Sequence, residues 1–278
     1  MSRQKRLFTL MAACAALIAP PAAADITCDA DVDGSGVIDI DDLFGVLAEW
    51  GPCDGCPGDI DDSGVVDIDD VFAVLADWGP CLFDYGEPYE NTEAEQIGLE
   101  MLGPYGPLLL PEESYNRIVR DQDLIRTDYP GLLTEFHDMA WMPNEMIVKL
   151  IEGEPLDMYE AYNTYYQVID EYNLFGTWWV LTLAGNINVP GLVVEYLGLD
   201  AVEYAEPNGL IGGQNFWQPV VMAEDTWRWN IDDGFHDCTD GCDCHRYYVI
   251  DVEADGTVIL VSYEEVGPPY CDFGAPLR

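Results

Sequence analysis

Residues 28–53, CDADVDGSGVIDIDDLFGVLAEWGPC, are followed after two residues by a near copy at residues 56–81, CPGDIDDSGVVDIDDVFAVLADWGPC. The period is 28 residues and 18 of the 26 paired positions are identical, so the segment is an internal tandem repeat. Each copy is an Asp-rich loop followed by a stretch with helical periodicity. Apolar residues recur there at i, i+3, i+4 and i+7, which predicts one amphipathic helix in each copy. These residues are Leu43, Val46, Leu47 and Trp50 in the first copy, and Val71, Val74, Leu75 and Trp78 in the second.

Both loops have the spacing of oxygen ligands that surrounds a calcium ion. Loop positions 1, 3, 5, 9 and 12 carry oxygen-bearing side chains, position 6 is a glycine that permits a sharp turn, and position 7 offers a backbone carbonyl. We therefore predict two Ca²⁺ sites. The candidate ligands are Asp31, Asp33, Ser35, Val37, Asp39 and Asp42 in the first loop, and Asp59, Asp61, Ser63, Val65, Asp67 and Asp70 in the second.

Two features separate these loops from an EF-hand: position 12 is Asp rather than Glu, and no helix is predicted before either loop. In both respects residues 28–81 resemble a type I dockerin module, in which two loop–helix units pack in tandem. The resemblance implies calcium ligation, binding of a cohesin-like extracellular protein, and association with a polysaccharide-degrading system. It also implies that loop positions 10 and 11 contact the partner. Those positions hold Ile40, Asp41, Ile68 and Asp69, which differ from the hydroxyl-rich pairs common in cellulosomal dockerins.

The N-terminus predicts export. MSRQKR is a basic segment, LFTLMAACAALIA is apolar, and PPAAA offers small residues, so residues 1–24 are predicted to be a signal peptide cleaved after Ala24. The expected location is therefore secreted, periplasmic or at the cell surface. The formal net charge of −43 disfavours binding to nucleic acid or to anionic membranes.

Eight of the nine cysteines remain after removal of Cys14 with the signal peptide, and an even number in an exported chain favours disulfides. Two pairings respect the symmetry of the repeat: Cys28–Cys53 with Cys56–Cys81, or Cys28–Cys81 with Cys53–Cys56. The dockerin resemblance implies antiparallel helices and thereby favours a Cys28–Cys81 bond.

A second group of cysteines lies in HDCTDGCDCH, residues 236–245. One interpretation is a zinc site, and the other is a pair of disulfides that also uses Cys271. We favour disulfides because the chain is predicted to be exported and the spacing differs from common zinc patterns. The residues concerned are Cys238, Cys242 and Cys244, with His236 and His245 as further candidate zinc ligands.

The middle of the chain predicts alternating strands and helices. Residues 83–142 are interpreted as a connector with local helices, interrupted at 129–131 by Tyr-Pro-Gly. After it we predict, in order, the strand Glu145–Ile151, the helix Leu156–Tyr172, the strand Trp178–Ala184, the helix Val189–Leu199 and the strand Val202–Glu206. The order β-α-β-α-β predicts a ferredoxin-like α+β domain with its helices on one face.

This stretch resembles the propeptide domains of subtilisin-like proteases and related peptidase inhibitors over residues 143–210. The matching pieces are Ile147-Val148, the short helix Leu192–Leu199, and Val202, Tyr204 and Glu206 in a V-x-Y-x-E pattern. The resemblance implies a stand-alone inhibitor of subtilisin-like proteases, with residues 207–210 as the tail that enters the protease cleft.

At the C-terminal end, strands at Arg246–Glu253 and Thr257–Glu264 flank Ala-Asp-Gly, which predicts a β-hairpin. The predicted fold class is therefore α+β multidomain: a small all-α calcium loop–helix module, a ferredoxin-like domain and a C-terminal β-hairpin region. The predicted divisions are 1–24 signal peptide, 25–82 dockerin-like repeat, 83–142 connector, 143–212 propeptide- or inhibitor-like domain, and 213–278 cysteine-containing β region.

Three functional hypotheses follow from these features. The first is an exported calcium-binding protein whose repeat docks an extracellular partner, and the second is a peptidase inhibitor. The third is an accessory or catalytic part of a carbohydrate-active enzyme, because dockerins are often attached to such enzymes. Nucleophilic hydrolysis needs Ser or Cys beside His, and paired carboxylates cannot be identified by spacing among 53 acidic residues. No catalytic arrangement emerges, so we predict a protein that is not an enzyme.

Overall fold

A computed structural model describes residues 28–53, 55–210, 215–236, 238 and 242–273. The predicted signal peptide and its cleavage site after Ala24 lie outside these residues. The described chain is a mixed α/β structure with six α-helices and several antiparallel sheets, which is compatible with the α+β class. No helix in these ranges is both long enough and apolar enough to cross a bilayer.

The repeat folds as two loop–helix units that are tied together by short strands. Each loop strand pairs with the segment that follows the helix of the other copy: Val37 lies opposite Pro80, and Val65 lies opposite Pro52. The two pairings are equivalent: each becomes the other when the first and second copies are swapped. The module therefore has an approximate internal two-fold symmetry. Its elements are β1 Val37–Ile38, α1 Ile40–Ala48, β2 Gly51–Pro52, β3 Val65–Val66, α2 Ile68–Ala76 and β4 Gly79–Pro80.

Residues 141–209 form a four-stranded antiparallel sheet with two helices. The elements are β5 Trp141–Leu150, α5 Asp157–Tyr165, β6 Val168–Phe175, β7 Trp178–Leu183, α6 Val189–Tyr196 and β8 Val202–Gly209. The strand order is β6-β7-β5-β8. Four buried tyrosines pack with Met146 and Val148 of β5 and Leu181 of β7. They are Tyr159 and Tyr162 of α5, Tyr166 directly after it, and Tyr196 of α6.

The prediction of one helix over Leu156–Tyr172 is wrong in its second half. The helix ends at Tyr165, Gln167 has a φ of 47°, and the chain then turns into β6. The observed order is therefore β-α-β-β-α-β rather than β-α-β-α-β. The strand predicted at Glu145–Ile151 begins earlier, at Trp141, and the one predicted at Val202–Glu206 extends to Gly209.

The C-terminal region is an antiparallel sheet of four strands that is covered by two helices. The helices are α3 Thr92–Leu102 and α4 Glu112–Asp128, and the strands are β9 Phe216–Val221, β10 Trp227–Phe235, β11 Cys244–Val252 and β12 Val258–Val266. The strand order is β12-β11-β10-β9, and β11 and β12 form the predicted hairpin. Ile97, Ile118 and Ile125 of the helices pack against Trp217 and Trp229 of the sheet. The segment expected to be a connector thus supplies one layer of this core.

Four disulfides join the eight described cysteines, as predicted from their even number in a chain expected to be exported. The pairs are Cys28–Cys81, Cys53–Cys56, Cys238–Cys242 and Cys244–Cys271. In the repeat, this is the pairing that the dockerin resemblance favoured.

Candidate metal centres

Three carboxylates converge in each loop. Oxygen atoms of Asp31, Asp33 and Asp42 all lie within 4.8 Å of one another, and Asp59, Asp61 and Asp70 repeat the arrangement in the second copy. Two members of each trio are buried, so the oxygens are concentrated inside the loop rather than spread over the surface.

Backbone amides hold these carboxylates in place. The amides of Ser35 and Gly36 donate to the two oxygens of Asp31 at 2.9 and 2.7 Å. Asp42 accepts from the amides of Asp33 at 3.2 Å and Asp39 at 2.8 Å. Gly36 has a φ of 81°, a left-handed conformation that a glycine adopts without steric cost, which brings its amide toward Asp31. A glycine is needed at this loop position because only its left-handed conformation lets the Gly36 amide orient the Asp31 carboxylate.

The second loop repeats this scaffold. Asp59 accepts from the amides of Ser63 at 3.0 Å and Gly64 at 2.9 Å. Asp70 accepts from the amides of Ile60 and Asp67, each at 2.8 Å. The duplication in sequence is therefore matched by duplication of the contacts that orient the carboxylates.

The remaining predicted ligands lie beside the trio. The Ser35 hydroxyl donates to the carbonyl oxygen of Val37 at 3.0 Å, so both candidate oxygens are adjacent, and Ser63 and Val65 do the same. Asp39 is not one of the converging carboxylates; it accepts from the Asp41 amide at 2.8 Å as the N-cap of α1. Asp67 is the N-cap of α2 in the same way.

The pKa shifts of the carboxylates at loop positions 1 and 12 differ in direction. Burial raises the pKa of Asp31, and the nearby charges of Asp42 and Asp33 add to this, while its amide hydrogen bonds oppose it. Burial also acts to raise the pKa of Asp70, but the amides of Asp67, Ile60 and Asp61 outweigh it, so that pKa is lowered. Like charges held this close repel one another, and a bound cation would relieve that repulsion.

The donor set is chemically suited to calcium. Each loop offers carboxylates, a hydroxyl and a backbone carbonyl, which are hard oxygen donors, and neither trio includes a nitrogen or sulfur ligand. A divalent cation held by Asp31, Asp33 and Asp42, or by Asp59, Asp61 and Asp70, would offset most of the negative charge of the trio and connect the loop to the start of the helix. Its role there would be structural.

Each helix presents apolar side chains to solvent on one face. Ile40, Phe44 and Leu47 of α1 lie at i, i+4 and i+7 and are 46%, 59% and 46% exposed. Ile68, Phe72 and Leu75 repeat this on α2. We call these two sets the exposed apolar faces. Of the apolar residues at helical spacing, Val46 and Val74 are fully buried, whereas Leu47, Trp50, Leu75 and Trp78 are exposed. Trp50 and Trp78 follow the ends of the helices.

The histidines make local contacts in the described structure. His137 is buried, its Nε2 lies 3.1 Å from a Glu100 oxygen, and its Nδ1 accepts the Trp217 amide at 3.1 Å. His245 lies between Asp232 and the carbonyl of Cys242, each at 2.8 Å. Neither belongs to a group of three converging metal-ligating side chains among the described residues.

Comparison with protein-family models, with curated proteins and with solved structures found no match to this chain. The features that bear on function are therefore those of the chain itself. They are two duplicated carboxylate clusters, each followed by a helix that exposes apolar side chains.

Proposed function

We propose that residues 28–81 are a calcium-dependent docking module, resembling a type I dockerin, through which an exported protein binds an extracellular partner. One observation supports this most directly. In each copy, a single aspartate belongs both to the carboxylate trio and to the start of the helix that carries the exposed apolar face. Asp42 belongs to the first trio and completes the capping box of α1 with Asp39; Asp70 and Asp67 do the same for α2. Calcium at the loops would thus stabilise the helix starts and with them the exposed apolar faces.

The chemistry of the module suggests what the partner looks like. Residues 28–81 contain no Lys or Arg, and Asp41 and Asp69 lie beside the apolar faces on the first turns of the helices. A complementary surface has an apolar centre that receives Phe44 or Phe72 and a basic rim that meets the aspartates. A cohesin-like protein with such a surface is the proposed partner, and a polysaccharide-degrading system is the proposed setting.

The strand order of residues 141–209 supports the finer fold assignment that goes with this proposal. An antiparallel sheet of order β6-β7-β5-β8 with one helix after each of the strands β5 and β7 has the ferredoxin-like arrangement. Its topology does not by itself indicate a function. The segment that would enter a protease cleft is held in the sheet, since Pro207 pairs with Met146 and the Leu210 amide donates to the Ala140 carbonyl. We therefore place docking ahead of protease inhibition.

The test is capture of a partner from the secretome of the producing organism by the mature full-length chain, followed by binding of the purified partner. We expect binding in calcium and its loss in chelator. Phe44→Ser combined with Phe72→Ser should abolish binding, because both exposed apolar faces lose their central aromatic ring. Phe175→Ser is the matched control, since Phe175 is 65% exposed but lies on β6. Binding that survives both chelator and the double variant would refute the proposal.

A further inference from the structure

A cavity of about 680 Å³ lies between the helices α3 and α4 and the turn that follows β7. Its walls come from residues 85–90, from α3, from residues 109–116 and from the turn at 184–186 after β7. A volume of this size holds a small organic molecule. None of the calcium-loop residues lines it, so it is a separate site.

One carboxylate in the deep part of this cavity lacks a cationic partner. Glu95 is 7% exposed, and the Asn186 side-chain amide donates to one of its oxygens at 2.9 Å. Among the described residues, Asn186 makes the one side-chain contact to this carboxylate, and no Lys, Arg or His lines the cavity. A buried carboxylate with one neutral hydrogen-bond donor and no cation beside it is costly to keep ionised. Burial therefore raises the pKa of Glu95. A cationic group in the cavity would supply the missing partner.

The rim has the same sign of charge as the interior. Glu87, Glu90 and Glu112 line the cavity and are exposed. Burial raises the pKa of the Tyr89 phenol, and the charges of Glu112 and Glu95 raise it further, so both carboxylates act on this side chain. The field therefore repels anions and attracts cations from the entrance to the interior.

The walls also offer apolar surface to a ligand. The rings of Tyr89 and Tyr115 stack with their centroids 4.0 Å apart, and Leu99 and Leu110 form a buried apolar surface beside them. The Tyr89 hydroxyl donates to the Leu110 carbonyl at 2.8 Å, and the Tyr85 hydroxyl donates to the Tyr166 carbonyl at 2.6 Å. Both hydroxyl hydrogens are already engaged, so Tyr85 and Tyr89 offer ring surface to a ligand rather than hydroxyl donors. Ring surface suits apolar groups and cations.

The close fit of the wall at Gly185 indicates a formed cavity. A Cβ atom placed on Gly185 would lie 2.7 Å from the Tyr85 ring, so only glycine permits this approach. The Tyr85 ring is held there by its hydroxyl contact to Tyr166 and by edge-on packing against Phe83, with ring centroids 5.0 Å apart.

The cavity carboxylates are arranged for an extended cation rather than a metal ion. Groups of three converging acidic or other metal-ligating side chains occur, within the described residues, in the two calcium loops. The glutamates of the cavity form no such group. A point charge such as a divalent metal needs converging oxygens, whereas an ammonium or guanidinium group on an organic body needs one partner and a shaped wall.

We propose that this cavity binds a small organic cation, with its primary ammonium or guanidinium group against Glu95 and its apolar body against Tyr89, Leu99 and Leu110. The glutamates at the rim attract the ligand, and the buried carboxylate selects its charge. The ligand class is thus an alkyl, aralkyl or guanidino amine.

The experiment is calorimetric titration of the mature full-length chain with phenethylamine, hexylamine and agmatine, in calcium and at physiological salt. Two control compounds keep the phenyl group of phenethylamine. Phenylethanol has a neutral hydroxyl in place of the ammonium group, and phenylacetate has an anionic carboxylate. We expect at least one amine to bind at least about tenfold more tightly than phenylethanol, the factor expected for a charge-assisted hydrogen bond. Phenylacetate should not bind. Failure of all three amines to bind at millimolar concentration, or equal binding of phenylethanol, would overturn the proposal.

The variant Glu95→Gln keeps the shape and the acceptor for Asn186 but removes the charge. It should lower amine affinity at least about tenfold. The matched control is Glu113→Gln, which removes a charge from an exposed residue that does not line the cavity, and should keep the affinity within about twofold. Circular dichroism of both variants confirms that they are folded. Unchanged affinity in Glu95→Gln would overturn the assignment of the cation to this carboxylate.

Discussion

The Sγ atom of Cys81 lies 3.9 Å from Oδ2 of Asp31, although the two residues are 50 positions apart. Cys81 is the last residue of the second copy, and Asp31 is the first predicted ligand of the first loop. The Cys81 amide also donates to the Gly36 carbonyl at 3.1 Å, and the disulfide joins Cys81 to Cys28 just before the loop. The first candidate metal loop is therefore built partly from the end of the other copy, so the two copies depend on one another.

Removal of this disulfide should destabilise the repeat strongly. The bond joins residues separated by 53 positions, and the chain-entropy relation gives about 4 kcal/mol for a closed loop of that length. We expect Cys28→Ser with Cys81→Ser to lower the free energy of opening of α1 and α2 by roughly that amount in saturating calcium. Hydrogen exchange of peptides from residues 40–48 and 68–76, followed by mass spectrometry, measures it.

The control for this prediction is Cys53→Ser with Cys56→Ser. That disulfide closes a separation of 3 residues, for which the same relation gives about 2 kcal/mol. Equal effects of the two double variants would show that loop entropy does not explain the role of the Cys28–Cys81 bond.

The buried last ligand of each loop should determine calcium affinity. Asp42 and Asp70 are 0% exposed and belong to the carboxylate trios. Asp42→Asn with Asp70→Asn removes one negative charge from each trio and keeps one of the two oxygens that accept backbone amides in each loop. We expect calcium affinity to fall at least about tenfold at both sites, as for loss of a charged ligand worth about 1.4 kcal/mol or more. Calorimetry should give two ions per chain for the unaltered protein.

Asp41→Asn with Asp69→Asn is the matched control for calcium binding. Asp41 and Asp69 directly precede Asp42 and Asp70, are exposed and lie outside the trios. This double variant therefore changes the net charge by the same amount but leaves the candidate ligands unaltered. Calcium affinity should change by less than about threefold, the effect of a screened surface charge. A similar loss in both double variants would mean that overall charge, rather than the trio, attracts the ion.

The repeat was predictable because three independent constraints coincide in it. The ligand spacing, the loop glycines such as Gly36 and the helical apolar period all point to one loop–helix unit, and the duplication repeats each of them. The sequence did not show which apolar residues face outward. Leu43 and Leu47 both fit a helical stripe, and the orientation of α1 toward α2 decides that Leu47 is exposed.

The missed strand β6 has a physical explanation. All residues of β6 after Val168 are exposed, and the strand lies at an edge of its sheet, so no alternation of buried and exposed side chains marks it in sequence. The strand β10 is different, because Trp227, Trp229, Ile231 and Asp233 alternate as buried residues. Its period of two was present in the sequence and would have identified it. The cavity around Glu95 could not be predicted, because it joins segments that are distant in sequence.

Loss of the Asp121 side chain should destabilise the C-terminal layer. Asp121 is 0% exposed and accepts from Arg117 at 3.0 Å, from Arg120 at 2.9 Å and from the Trp229 indole at 3.1 Å. Asp121→Ala leaves the Arg117 guanidinium and the Trp229 donor without this partner, and breaking such a buried charged network costs about 3–5 kcal/mol. Urea unfolding followed by near-ultraviolet circular dichroism measures it. Asp123→Ala, at an exposed position of the same helix, should cost less than about 1 kcal/mol.

The Glu95 carboxylate should make stability depend on pH. Burial raises its pKa in the folded chain, so the folded state holds the proton more tightly than the unfolded state. The contribution of Glu95 to the free energy of unfolding is therefore most favourable below the ordinary glutamate pKa. This contribution is lost as the pH rises through the raised pKa of the folded state. Glu95→Gln removes this loss, because the neutral amide has no charge to desolvate.

We therefore expect Glu95→Gln to be more stable than the unaltered protein at pH 7, and the difference to shrink as pH falls toward 4, where the carboxyl is mostly protonated in both states. Urea unfolding of both proteins across this pH range, without added amine, measures the difference. Glu113→Gln should show no such trend, since that side chain is exposed. A ligand amine should raise the stability of the unaltered protein more than that of Glu95→Gln at pH 7, because it binds the folded chain more tightly where the Glu95 charge is present. A stability difference that stays constant from pH 4 to pH 7 would show that desolvation of Glu95 is not its cause.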